Sequence, residues 1–149
     1  SGNRCSRRRL MIKLCYKSYD YKFSMDALRL YKKRTGGCLW GLMVKYLEVY
    51  GLSVANNDPL LIKLDKLTSI ADFFMISEAF YCLIKQAQDG IPVEEVQDSM
   101  FRVGFLPSDR DDDMSEPYQL VFASLALEIN KTFNEEVKKP VTSEQLTKA

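Results

Sequence analysis

The sequence contains no histidine. Histidine is the usual general base of enzymes and the commonest metal ligand, because its charge changes near neutral pH. Recognisable cysteine patterns are also lacking, because the spacings between Cys5, Cys15, Cys38 and Cys82 fit neither a zinc site nor a small disulfide framework. Without a histidine partner, the cysteines are better interpreted as small buried hydrophobes than as nucleophiles. We expect reduced thiols in a cytoplasm.

Motifs for cofactors, metals and catalysis are missing as well. The pair Gly36-Gly37 lacks the Gly-Lys-Ser/Thr that completes a phosphate-binding loop, so it is interpreted as a helix stop. The adjacent residues Glu94 and Glu95 lie on a predicted helix and point about 100° apart, which is not how an acid/base pair is usually mounted. We predict no enzymatic activity and no cofactor.

One acidic segment resembles the start of a calcium loop. Asp109, Asp111 and Asp113 alternate as the first ligands of an EF-hand do. That loop continues with a glycine and ends with a bidentate glutamate, whereas this chain has Met114 and Leu120 at those positions. We interpret the segment as a solvated acidic loop and predict no metal site.

Long apolar runs are absent too. No run approaches the roughly 18 residues that a transmembrane helix needs, and the arginines near the N-terminus are not followed by the apolar stretch of a signal peptide. With 46% hydrophobic and 28% charged residues, the composition is that of a soluble globular protein. A chain of 149 residues is expected to form a single domain.

Basic residues cluster before Met11, at Arg4, Arg7, Arg8 and Arg9. The cluster has two interpretations: a nucleic-acid-binding arm, since arginines neutralise phosphates, or a foreign leader translated from a purine-rich ribosome-binding region. Removing these four leaves 17 of the 21 basic residues against 20 acidic ones, a net charge of −3. We prefer a leader over residues 1–10, because the cluster is isolated compared with what nucleic-acid binders usually show. The remaining body is mildly acidic and a poor nucleic-acid binder.

Residues 11–23 alternate apolar and polar side chains in two runs, with a period of two that is typical of strands. We predict an N-terminal β-hairpin with its turn at Lys17-Ser18. The spacing becomes helical at Ser24, an N-cap residue, and the first helix should end at Gly36-Gly37. The residues expected on the inward face of the hairpin are Ile12, Leu14, Tyr16, Tyr19, Tyr21 and Phe23.

Helical spacing then dominates, so the predicted fold is mainly α, a compact bundle of about five to six helices with one short hairpin. A single domain should cover residues 11–139, followed by a mobile polar tail at 140–149. Glycine and cap residues predict where the later helices begin and end. One helix should run from Cys38 to Gly51, the next should begin at Asp58 with Pro59, and a third, capped by Thr68 or Ser69, should stop near Gly90. A fourth should begin at Pro92 and end at Gly104, and Ser115 should cap the last one.

Two of these segments, residues 38–51 and 70–84, are apolar almost all round. Such a helix is either central to its fold or partly buried against a partner, and both alternatives stay open for these two. Trp, Tyr and Met are enriched in interface cores, so we expect self-association through these segments. The candidate contacts are Trp40, Tyr50, Phe74 and Phe80.

The order of features resembles the tail assembly chaperone family of long-tailed bacteriophages. The likeness covers roughly residues 11–138 and rests most on Phe23, Ala27, Leu28, Thr35 and Gly36. The segments that carry it are IKLCYKSYDYKFSMDAL, YKKRTGGCLWGL, DFFMISEAFYCLIKQAQDG, VEEVQDSM and YQLVFASLALEINKTF.

This resemblance implies a non-enzymatic protein of the host cell cytoplasm. Members of the family bind the long, helical tape measure protein, keep it soluble, and recruit tail tube subunits around it. They tend to form homo-oligomers and are commonly made in two forms, the longer through a programmed frameshift. The alternatives are a small helical nucleic-acid-binding regulator that uses the N-terminal arginine cluster, and an enzyme accessory subunit.

Overall fold

A computed structural model describes residues 11–104 and 116–137 of the protein. It is 69% helical and has six helices and one antiparallel hairpin in these ranges, which confirms the predicted mainly-α bundle. The elements are β1 (Met11–Leu14), β2 (Lys17–Asp20), α1 (Met25–Thr35), α2 (Leu39–Ala55), α3 (Leu60–Thr68), α4 (Phe73–Lys85), α5 (Val93–Val103) and α6 (Tyr118–Val137).

The hairpin forms where it was predicted, but its turn lies two residues earlier. Leu14 pairs with Lys17, so Cys15 and Tyr16 make the loop, and Cys15 has a left-handed φ of 59°. The expected turn at Lys17-Ser18 is therefore wrong, and Tyr16 points away from the core with 70% of its surface exposed. This register frees the chain after Asp20 to pack on the bundle, where the Lys22 N–H donates to the Leu83 carbonyl at 3.0 Å.

Both predicted ends of α1 are confirmed. The Ser24 hydroxyl accepts a hydrogen bond from the Ala27 N–H at 3.3 Å, which satisfies one of the free donors of the first turn. Gly36 closes the helix in the left-handed conformation, with φ 81°, and its N–H donates to the Lys32 carbonyl. Glycine suits this position because a Cβ strains a left-handed backbone.

Helix α2 does not stop at Gly51, as the sequence predicts, but continues to Ala55. The reason lies in the next turn, where Ser53 is fully buried and its hydroxyl donates to Asp58 Oδ2 at 2.6 Å. Asp58 also accepts from Lys66 Nζ at 2.6 Å. Asp58 therefore ties α2 to α3 and does not cap α3, whose N-cap is Pro59.

The ends predicted for α4 need correction as well. Its N-cap is Asp72, whose side chain accepts from the Met75 N–H at 2.9 Å, so neither Thr68 nor Ser69 caps it. It ends at Lys85, five residues before Gly90, whose positive φ of 86° serves the following turn.

Helix α5 has the predicted bounds, with Pro92 before it and Gly104 after it. The cap predicted at Ser115, the acidic loop from Asp109 to Asp113, residues 1–10 and the tail at 140–149 lie outside the described residues.

Helix α4 is the centre of the bundle. It packs against α1 on one side and α5 on the other, and its buried residues cover most of its circumference. Aromatic rings connect it to the other half of the fold, because Phe122 of α6 meets Phe80 at 5.5 Å and Tyr46 of α2 at 4.9 Å, both edge to face. The apolar character of α4 is therefore largely a core property.

Within the described ranges, no single helix is both long and apolar enough to cross a membrane. Helices α3 and α4 meet the length and composition only as a pair, and they are bent by 80° relative to each other.

Candidate docking groove

The four predicted contact residues fall into different environments. Phe80 is completely buried, so the contact role predicted for it is replaced by a core role. Tyr50 is half-buried and packs against the core. Trp40 and Phe74 remain 43% and 63% exposed. The structure thus leaves two of the four predicted residues on the surface, one on α2 and one on α4.

Trp40 lies at the centre of an aromatic cluster. Its ring is 5.9 Å from that of Phe23, in the segment between β2 and α1, and 5.4 Å from that of Phe133 on α6. Phe133 is also 43% exposed. The three rings border an apolar depression, here called the Trp40 groove. Its walls are Tyr21, Lys22, Phe23, Ser24, Met25 and Leu28 before and within α1, Trp40, Met43, Val44 and Leu47 of α2, and Ala126, Ile129, Asn130, Thr132 and Phe133 of α6.

The start of α2 explains why Trp40 reaches the surface. Cys38 is the N-cap, with its sulfur accepting from the Gly41 N–H at 3.4 Å. Leu39 follows and is fully buried. Successive residues of a helix point about 100° apart, so burying Leu39 turns Trp40 toward the edge of the core. Met43, Val44 and Leu47 continue the same stripe at helical spacing.

The groove consists of two hollows on either side of the aromatic cluster. The larger, of about 540 Å³, lies beside the end of the hairpin and the first turn of α1. The smaller, of about 70 Å³, lies between Val44 and Leu47 of α2 and Ala126 and Asn130 of α6. Both hollows share Phe23, Trp40, Ile129 and Phe133. The two hollows therefore form one groove that is partly open to solvent.

Lys22 carries the only charge among the described residues that line the two hollows. Tyr21 lies beside it in the larger hollow, and its burial, with a smaller effect of the Glu128 charge, raises the tyrosine pKa to about 12. The Tyr21 hydroxyl therefore stays neutral at physiological pH. The groove can bury apolar side chains and can attract one negative group at the end near Lys22.

A second exposed apolar area surrounds the start of α4. Phe73 contacts Phe74 at 5.3 Å and Tyr118 of α6 at 5.5 Å. Phe73 is half-buried, while Phe74 and Met75 are 63% and 40% exposed. We call Phe74 and Met75 the Phe74 patch. It is a surface of exposed side chains at a helix start.

A polar pocket of about 210 Å³ lies between the hairpin loop and α5. The Tyr19 hydroxyl donates to Glu95 Oε2 at 3.1 Å and shares a hydrogen bond of 2.9 Å with Ser99, and Lys17 contacts the same carboxylate. Burial raises the pKa of Tyr19, so its hydroxyl stays protonated. These bonds attach the hairpin to α5. In the part of the chain that the structure describes, no group of three or more His, Cys, Asp or Glu side chains could hold a metal ion.

Comparisons with protein-family models, curated proteins and solved structures find no match for this chain.

Sequence reasoning identified Trp40 but missed its neighbours in the groove. The sequence predicts Phe23 on the inward face of the hairpin, and it indicates no contact role for Phe133 or Lys22. One pattern could have indicated Phe133, since it continues the α6 core stripe one turn beyond Ile129, where a bundle of short helices offers less cover. The role of Lys22 depends on tertiary packing and leaves no local pattern.

Proposed function

We propose that the protein is a non-enzymatic phage tail assembly chaperone, which binds apolar helical segments of the tape measure protein, keeps them soluble and helps to recruit tail tube subunits. The observation that carries the proposal is the Trp40 groove, where two large aromatic side chains, Trp40 and Phe133, are each 43% exposed beside hollows with apolar walls.

The shape of the groove favours a helix as its occupant. Helix-in-groove recognition inserts apolar side chains at i, i+3, i+4 and i+7 into a hydrophobic channel. Two hollows separated by an aromatic cluster provide successive positions for such anchors. A tape measure protein, being long, helical and rich in apolar residues, offers many segments of this kind.

Self-association is part of the same proposal. The Phe74 patch is formed by α4 and exposes apolar side chains apart from the groove residues. If copies of the chaperone associate through this patch, the groove of each copy stays available, and one assembly can cover several segments of a long partner. The avidity of linked weak sites can exceed a single affinity by about 10²–10⁴-fold.

Co-expression tests the proposed function. The protein is produced together with fragments of the tape measure protein of the same phage, and the soluble share of each fragment is measured. We expect the wild-type protein to raise this share and Trp40→Asp to abolish the effect. Phe101→Asp is the matched control, because Phe101 is 75% exposed on α5 and does not line the groove. Fragments that stay equally insoluble with the folded wild-type protein would disprove the proposal.

A further inference from the structure

The two ends of the Trp40 groove differ in charge and in size. The hollow of about 540 Å³ has Lys22 at its edge, whereas the hollow of about 70 Å³ is lined by apolar side chains and Asn130. An engineered apolar cavity of about 150 Å³ binds benzene, so the smaller hollow, at about half that volume, accepts a small aliphatic side chain but not a whole aromatic ring. The larger one is within the usual range for ligand pockets, about 300–1,000 Å³. A bound segment would therefore contact a large hollow with a cation at its edge and a small hollow without charge.

Packing of the backbone holds Lys22 at its position. Its N–H donates to the Leu83 carbonyl of the central helix at 3.0 Å, while its side chain is exposed at the edge of the hollow. No carboxylate of the described residues forms an ion pair with Lys22. The nearby acid in the first turn of α1, Asp26, is paired with Arg29 at 2.9 Å.

Two other charged features act near this end. The N-terminus of α1 directs a partial positive charge outward, which adds to the charge of Lys22. Glu128 on α6 opposes it, because its charge contributes to the raised pKa of Tyr21, but Glu128 has interactions of its own and does not line the hollow. Among the described residues, the edge of the larger hollow thus offers one cation, Lys22, that no carboxylate pairs with.

We propose that the groove accepts an amphipathic partner helix in one direction only, with an acidic side chain beside Lys22, a bulky apolar anchor in the larger hollow, and a small aliphatic anchor in the smaller one. This inference rests on the proposed function and adds the chemistry of the segment that is bound. Charge complementarity selects the direction, because reversing the helix would remove its acid from Lys22 and place the bulky anchor at a hollow too small for it.

A slender apolar acid, such as a fatty acid, would also present a carboxylate to Lys22. The open side of the groove argues against it, because Trp40 and Phe133 would stay in contact with water along a thin chain. A helix about 10 Å wide covers both rings. Displacement of bound helices by a fatty acid would indicate this alternative occupant.

The test measures the affinity of dye-labelled synthetic helices, free of tryptophan, for the full chain by fluorescence anisotropy. One peptide carries Glu next to a Phe anchor with an Ala or Val anchor two turns away. A second has Lys in place of that Glu, and a third places the Glu beside the small anchor. We expect the first peptide to bind about five-fold more tightly than either other at low salt, and the difference to shrink as salt screens the pair.

Lys22→Glu should reverse the preference between the Glu and Lys peptides, and Lys22→Gln should abolish it. Lys33→Glu is the matched control, since Lys33 is exposed in the last turn of α1 and does not line the groove. Circular dichroism confirms that the variants fold.

Several results would overturn the inference. Equal affinities for the three peptides would show that the groove has no preferred direction, and oleate that binds and displaces every peptide would assign the groove to a small apolar acid. If Lys33→Glu changed the peptide preference as much as Lys22→Glu does, the preference would depend on the net charge of the protein and not on the position of Lys22. The proposed function fails separately, if designed helices bind as expected but tape measure fragments do not.

Discussion

The rings of Trp40 and Phe133 meet edge to face, with centroids 5.4 Å apart and planes at 88°. This contact joins the first turn of α2 to the last turns of α6, and both side chains remain partly in water. Edge-to-face pairs are worth about 0.5–1.5 kcal/mol beyond the burial of their area. The pair therefore positions two exposed aromatic rings without removing them from the surface.

Replacing Phe133 by Ala tests this relationship. Trp40 is the only tryptophan of the chain, so intrinsic fluorescence reports on the groove alone. We expect Phe133→Ala to shift the emission of Trp40 to longer wavelength, because the ring loses a cover, and to lower the free energy of unfolding by only about 1 kcal/mol. Phe101→Ala serves as the control and should leave the emission unchanged. Identical spectra for Phe133→Ala and wild type would show that the contact does not persist in solution.

Substitutions of Phe80 and Phe74 should distinguish a core residue from a surface residue by their effects on stability. Phe80 is fully buried and contacts Phe122, so Phe80→Ala should cost about 3–5 kcal/mol in urea denaturation. Phe74 is 63% exposed, so Phe74→Asp should change stability by no more than about 0.5 kcal/mol. Sedimentation velocity should then show smaller species for Phe74→Asp than for wild type. A wild type that is monomeric at every concentration would contradict the proposed self-association.

Local patterns predicted the fold class, the hairpin and both ends of α1, because these depend on nearby residues. Ser24 and Gly36 act through hydrogen bonds within their own turns. The error at the start of α3 arose because residues of two helices decide the outcome together. Asp58 bonds to Ser53 and Lys66 instead of capping α3, and the helix continues through Gly51 to place Ser53 there.

The candidate site was predicted only in part for the same reason. Trp40 and Phe74 stand out as large aromatic residues on apolar helices, yet so does Phe80, which is core. Composition cannot separate these, because exposure depends on which helices cover a given face. The groove itself arises from three segments far apart in sequence, around Phe23, Trp40 and Phe133.

Two glycine substitutions are expected to have opposite effects on stability. Gly51 lies inside α2, and a Cβ added there would meet nothing within 4 Å, so Gly51→Ala should stabilise the protein by about 1 kcal/mol through helix propensity. Gly36 also has open space, but its φ is 81°. Gly36→Ala should therefore destabilise by about 1–2 kcal/mol through backbone strain. Chemical denaturation of both variants measures this, and shifts of the same sign would be inconsistent with the assigned backbone conformations.

The raised pKa of the Cys82 thiol predicts that the protein loses stability at alkaline pH. Burial, with a smaller effect of Glu78, raises its pKa from 9.0 to about 12. Because the folded-state pKa lies above the unfolded value, the thiol contributes stability fully below pH 9, and this contribution is lost as pH rises toward 12. The loss is at most about 1.4 kcal/mol per pH unit for one proton.

Urea denaturation of wild type and Cys82→Ala between pH 8 and pH 10 provides the measurement. We expect the free energy of unfolding to fall more steeply above pH 9 in wild type than in Cys82→Ala, because the variant lacks the thiol proton. Buried tyrosines are present in both proteins, and burial is the largest cause of the raised pKa of Tyr31, to which the Cys82 charge adds a smaller effect, so their contributions largely cancel in the comparison. Parallel curves would mean that Cys82 is accessible to solvent and ionises normally in the folded state.

The emission of Trp40 during titration with a tryptophan-free helical fragment of the tape measure protein tests the central claim most directly. If the groove is the docking site, the emission should shift to shorter wavelength and saturate, since the fragment covers a ring that is 43% exposed. Phe133→Ala should weaken the binding that produces this shift, and Phe101→Asp should not. A fragment that sediments with the protein but leaves Trp40 emission unchanged would contradict the account.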